Sequence, residues 1–146
     1  MADPREDILV RLQAVCAAVE GIAGCYRNDE IPETARPAIM ILDADETAAD
    51  DDPQPRPPAW RRRVTMTPEL YVLLGGPPAT VGSDLNALRA KVIKAVLTDA
   101  TLNALTLNGC GIRYEACVTA LARGRSMEGE LGLSFAFTYD LSPTTL

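Results

Sequence analysis

Apolar residues near the start of the chain recur at Ile8, Leu12, Val15, Val19 and Ile22, in steps of four, three, four and three. That spacing lines one stripe of an amphipathic helix. Asp3 and Pro4 supply a cap and a first helical residue, and Glu6 and Asp7 fall in the first turn, where a helix welcomes negative charge. Gly21 and Gly24 close the pattern, and Cys25-Tyr26 opens an extended segment. A second stripe, Val81, Leu85, Leu88, Val92 and Val96, predicts another helix with Ser83 or Asp84 near its cap. A short helical turn follows over 99–105.

The remaining pattern is that of strands. Residues 37–43 form a short apolar run ending on carboxylates, which predicts a strand buried on both faces. Val64, Met66, Leu70, Val72 and Leu74 share one parity, with threonines and Glu69 on the other, and Pro68 marks an edge or a bulge. Gly75-Gly76-Pro77-Pro78 stops that strand. Ile112, Tyr114, Ala116, Val118 and Ala120 alternate again, and so do Leu131, Leu133, Phe135, Phe137, Tyr139 and Leu141. The short turn between these two runs predicts an antiparallel hairpin. The fold class expected is α+β: a single antiparallel or mixed sheet with the two main helices packed on one face. One domain spans residues 1–146, without internal repeats.

One stretch breaks the pattern. Residues 44–63 carry Asp45, Glu46, Asp50, Asp51 and Asp52, then four prolines, then Trp60 and Arg61-Arg62-Arg63. Acidic, proline-rich and basic in turn, this stretch predicts a long charged loop or arm. Loops of this length in compact domains tend to be functional or disordered. Asp50, Asp51, Asp52, Trp60, Arg61, Arg62 and Arg63 are therefore candidate interface residues.

Composition narrows the chemistry. The chain has 14 Lys and Arg against 20 Asp and Glu, a formal charge of −6, and no histidine. Triads built on histidine are excluded, and the commonest metal ligand is missing. The acidic balance argues against a nucleic-acid-binding surface, which needs excess cations. No run reaches the roughly 18 apolar residues of a membrane span, and the charged start of the helix does not resemble a signal peptide. Cys16, Cys25, Cys110 and Cys117 form no paired spacing and sit in apolar-patterned segments, so they predict free thiols rather than a metal site. No cofactor or metal is expected.

Two motifs remain. Ile39-Met40-Ile41-Leu42-Asp43-Ala44-Asp45-Glu46-Thr47 resembles the first motif of the haloacid-dehalogenase phosphatases, in which the first Asp attacks phosphate and the second handles the proton, with magnesium. That family needs a parallel sheet and a later Lys on a strand-end loop. Here Lys91 and Lys94 lie mid-helix, and the strands alternate. The bland reading, a strand end followed by an acidic turn, is favoured. Arg61-Arg62-Arg63 reads as a solvated strand entrance facing the upstream aspartates.

Taken along the whole chain, the order of segments resembles another family. Val19-Glu20-Gly21-Ile22-Ala23-Gly24-Cys25-Tyr26-Arg27-Asn28 follows the first helix, and then comes Arg36-Pro37-Ala38-Ile39-Met40-Ile41-Leu42-Asp43-Ala44-Asp45-Glu46 before a variable polar loop. Val64-Thr65-Met66-Thr67-Pro68-Glu69-Leu70, the 85–96 helix, Asp99, and Gly129-Glu130-Leu131-Gly132-Leu133-Ser134-Phe135-Ala136-Phe137-Thr138-Tyr139 complete it. This arrangement resembles the tail terminator (minor tail, tail completion) proteins of long-tailed bacteriophages and prophages. The resemblance implies an α+β structural protein of the virion and no enzyme. It implies a homo-oligomeric ring, expected to be a hexamer, at the head-proximal end of the tail and assembled in the host cytoplasm. The ring's implied partners are the tail tube protein on one side and a head-side connector or neck protein on the other, with DNA passing through without specific binding and no membrane involved. The alternatives are another head-tail neck component, such as a head-completion or stopper protein, and a magnesium-dependent phosphatase using Asp43 and Asp45.

Overall fold

The computed structural model describes residues 3–30, 35–49, 61–122, 127–143 and 146. In chain order the elements are α1 (Pro4–Ala17), β1 (Gly24–Arg27), β2 (Ala38–Leu42), β3 (Glu46–Ala48), β4 (Arg62–Met66), β5 (Glu69–Gly76), α2 (Val81–Thr98), α3 (Ala100–Ala104), β6 (Ile112–Ala122) and β7 (Met127–Leu141). The class is α+β, with three helices and a mixed sheet of seven strands. Among the described residues, only the β1–β2 pair is parallel.

The 15-residue β7 is the spine of the sheet. Along one edge it pairs antiparallel with β5 over residues 127–134 and then with β4 over 137–141. Along the other it pairs with β6. The alternation from Val64 to Leu74 is thus one strand path cut in two. Pro68 has no N–H to give to a ladder, and Thr67 donates instead to the Asp45 carbonyl at 3.1 Å. The partner path is cut at the same level. β2 pairs with β5, β3 pairs with β4, and Asp43-Ala44-Asp45 lies in the interruption with Ala44 at φ +54°. Strands β2–β3 and β4–β5 therefore form the two arms of one long hairpin.

This corrects part of the expectation for 44–63. Glu46–Ala48 belongs to a strand, as do Arg62 and Arg63. The antiparallel partner Val64–Met66 holds the acidic end in register, a long-range pairing that local composition does not reveal. Asp50, Asp51, Asp52 and Trp60 lie outside the described residues.

Helix α1 also ends sooner than its stripe. Asp3 caps it by accepting from the Arg5 N–H at 2.9 Å, and Ala18 ends it. Val19 and Ile22 stay against the core through a turn whose Gly21 sits at φ +92°, a backbone conformation that glycine adopts without strain. Helix α2 begins at Val81, so Ser83 and Asp84 lie inside its first turn and Thr80 takes the cap position. Asp99 caps α3 through Leu102 N–H at 2.8 Å.

One core joins all layers. It contains Ile8, Leu9, Leu12 and Cys16 of α1, Leu85, Val92 and Val96 of α2 and Leu102 of α3. From the sheet it takes Ile39, Ile41, Met66, Leu70, Val72, Leu133, Phe135, Phe137 and Tyr139. The sheet members share one parity in every strand, as the period-2 pattern requires. The exception is β6. Tyr114 pairs with Phe135 and Ala116 pairs with Ser134, so Glu115 bulges out and the parity flips behind it. Ile112, Tyr114 and Cys117 pack against the core, whereas Val118 is 68% exposed on the other face. Five alternating residues that read as one stripe are divided between two faces.

Candidate functional site

The Asp43–Asp45 motif sits where β2 breaks off. Arg27, at the end of the parallel neighbour β1, donates from Nε to Asp43 Oδ1 and from Nη2 to Asp43 Oδ2, both at 2.8 Å. The same guanidinium holds Glu6 of α1 through Nη1 and Nη2 at 2.8 and 2.9 Å. Asn28 Oδ1 accepts from the Asp43 N–H at 3.1 Å, and Arg5 donates to the Ala44 carbonyl at 2.8 Å. The Arg27 hydrogen bonds hold the Asp43 carboxyl below the usual carboxylate range, although its burial pushes the other way. The Asp43 carboxylate is therefore clamped on both oxygens. Asp45 is exposed and takes part through its backbone carbonyl. This corner ties the start of α1 to the ends of β1 and β2.

The three predicted arginines lie where the hairpin rejoins the sheet. Arg61 pairs with Asp140 of β7 at 2.5 Å, and Arg62 donates to the Ala49 carbonyl at 3.3 Å. The Arg63 carbonyl accepts from the Ala49 N–H at 2.9 Å. Next to them, the buried Tyr139 hydroxyl donates to Glu46 Oε1, and Thr65 and Thr138 share a hydroxyl contact at 3.0 Å. Burial and the Glu46 carboxylate raise the Tyr139 pKa far above its ordinary value. The arginines are thus near one another and near β7, with Arg61 tied to β7 and Arg62 reaching across to the other arm of the hairpin.

A groove on the sheet was not singled out by motif. On the sheet face opposite the core parity, Tyr71, Gly132 and Val118 stand on one rung across β5, β7 and β6. The Tyr71 ring leans over Gly132, which has no side chain to fill that space. Glu69 and Ser134 occupy one flanking rung, and Glu130 and Ala120 lie on the other side. Together they line an open groove of about 330 Å³. Glu69 Oε2 accepts the Tyr71 hydroxyl at 2.5 Å, and this bond, with some burial, raises the Tyr71 pKa. The alternation around Glu69 carried a signal for this face, but the bulge that delivers Val118 to it had none.

The cysteines are separate from these features. Cys16 is buried beside the half-buried Cys25, and the contact with Cys25 together with burial pushes its thiol well up. Cys110 is exposed and Cys117 is half-buried. Among the described residues no group of three or more cysteines and carboxylates is placed to hold a metal ion, and no helix is long and apolar enough to cross a membrane. In comparison with known proteins, the sequence matches no family model and no curated protein matches it.

Proposed function

We propose that this chain is a structural protein of the tail-terminator kind. It caps a phage tail tube as a ring of about six copies, ends tube polymerisation, and offers its other side to the head-side neck. The observation that carries this reading is the open sheet face with its groove, uncharged along the Tyr71–Gly132–Val118 rung and edged by carboxylates. An apolar surface left open on a small domain marks a site for another protein. The order of segments along the chain resembles that family's and supports the reading. In this reading both main helices cover the core side of the sheet and the proline-rich segment between β3 and β4 works as an arm. The common cluster of α1, α2 and one sheet parity supports the first point.

The chain acts by assembly and not by catalysis. Support comes from Asp43, whose two oxygens are both held by Arg27, where a phosphate-attacking carboxylate needs one oxygen free. The ring closes because each copy uses two different surfaces at a fixed rotation, so it terminates where an open stack would continue. The acidic balance suits a lumen that DNA crosses without adhering.

Electron microscopy of the protein mixed with tubes of its cognate tube protein tests the reading. Density at one tube end only is expected. Binding along the tube, no binding, or a magnesium-dependent phosphatase activity lost in Asp43→Asn overturns it. Deletion of residues 48–58 is expected to give tails of uncontrolled length or tails unable to join heads, counted on micrographs; normal particles would remove the arm from the proposal.

A further inference from the structure

We propose that the groove on the open sheet face seats the outward side of α2 from a second copy, with Glu69 and Glu130 receiving Lys91 and Lys94. The contact rests on the ring reading and specifies the two surfaces that meet in it.

Charge complementarity carries the argument. Lys91 and Lys94 are the chain's two lysines, and both are exposed on α2. Among the described Lys and Arg residues, they alone make neither an ion pair nor a hydrogen bond. On the groove side, Glu130 is likewise without an ion pair, and Glu69 holds only the Tyr71 hydroxyl. Two free cations on one surface thus match two available carboxylates on another.

Shape agrees with charge. The exposed residues Ala87, Ala90, Lys91, Lys94 and Thr98 follow one another at helical spacing along α2. Small side chains at 87 and 90 let a helix approach closely, and the opposing rung has a glycine at its centre. A helix laid on a sheet face is an ordinary way to bury an uncovered layer. Carboxylates beside the lysines add register: Glu20 borders the depression shared by Lys91 and Lys94, and Asp84 borders one that contains Lys91. A helix seated out of place brings Glu20 or Asp84 against Glu69 or Glu130, and like charges repel. The two surfaces differ, with α2 packed on the core parity and the groove on the other, so the contact runs head to tail and can close into a ring.

The test uses two charge-reversed full-length variants, Glu69→Lys/Glu130→Lys and Lys91→Glu/Lys94→Glu. Circular dichroism and thermal melting establish that each is folded, and sedimentation equilibrium and native mass spectrometry read association. The wild type is expected to self-associate, each variant alone at least about tenfold more weakly. An equimolar mixture is expected to regain wild-type association with the two variants alternating, because each reversed surface then meets its complement. Variants that associate like the wild type, a mixture no better than its components, or a wild type monomeric at its solubility limit overturns the contact. A mixture that assembles yet caps no tube end keeps the contact and removes the tail-end reading. Variants that still cap tubes like the wild type do the reverse.

Discussion

Arg27 shows how one side chain can fix a corner of this protein. Its planar fork holds two carboxylates from different elements, Glu6 and Asp43, with four hydrogen bonds. The Arg27 side chain is 19% exposed and Asp43 26%, so solvent discounts the pair, while Glu6 at 53% adds little. Arg27→Met is expected to lower stability by about 1–2 kcal/mol in urea unfolding at pH 7, mainly by stranding Asp43. The Asp43 carboxyl is lower in the folded chain than unfolded. Its contribution is therefore full above the ordinary carboxylate range near pH 4 and fades as pH falls through the lower folded value. The gap between wild type and Arg27→Met should narrow below about pH 4, and a gap constant with pH would show that lost packing dominates. Gly111 is a second such point. A Cβ there would press into the Thr138 carbonyl and the Leu107 N–H, both backbone groups, and Thr138 already donates to the Gly111 carbonyl at 2.8 Å. Gly111→Ala is expected to cost about 1–3 kcal/mol in the same measurement.

The elements were legible to different degrees, for reasons visible in particular residues. Both main helices follow from stripes that really are buried, Ile8 to Val19 and Val81 to Val96. Strand β7 follows from uninterrupted alternation. The pairing of β3 with β4 was hidden because Glu46, Thr47 and Ala48 have no apolar pattern and gain order from partners some 18 residues away. The Glu115 bulge was hidden because alternation continues through it, and only the register with β7 reveals the change of face. The groove was half legible, since Glu69 was placed off the core parity while Val118 was grouped with Tyr114. A thiol probe separates the two readings of β6. In a Cys110→Ser background, Val118→Cys should react with a maleimide much faster than native Cys117, which packs against the core. Equal rates would remove the bulge.

At the scale of the molecule, a single core spanning α1, α2, α3 and the sheet makes unfolding one event. Leu12→Ala in α1 should cost about 2–5 kcal/mol and Phe135→Ala in β7 about 3–5 kcal/mol. Both should shift the same transition, seen alike by far-ultraviolet dichroism and tyrosine fluorescence; two separate transitions would mean that helices and sheet are independent units. The place of β7 in this plan bears on how the protein is made. Strands β4, β5 and β6 all take β7 as partner, yet the ribosome delivers β7 after every one of them. Until residues 127–141 emerge, Val64, Leu70 and Val72 have no neighbour on that side, and the nascent chain carries apolar strands it cannot yet cover. Folding thus waits on the last strand of the sheet, and the interval before its synthesis is when this chain most needs protection from chaperones.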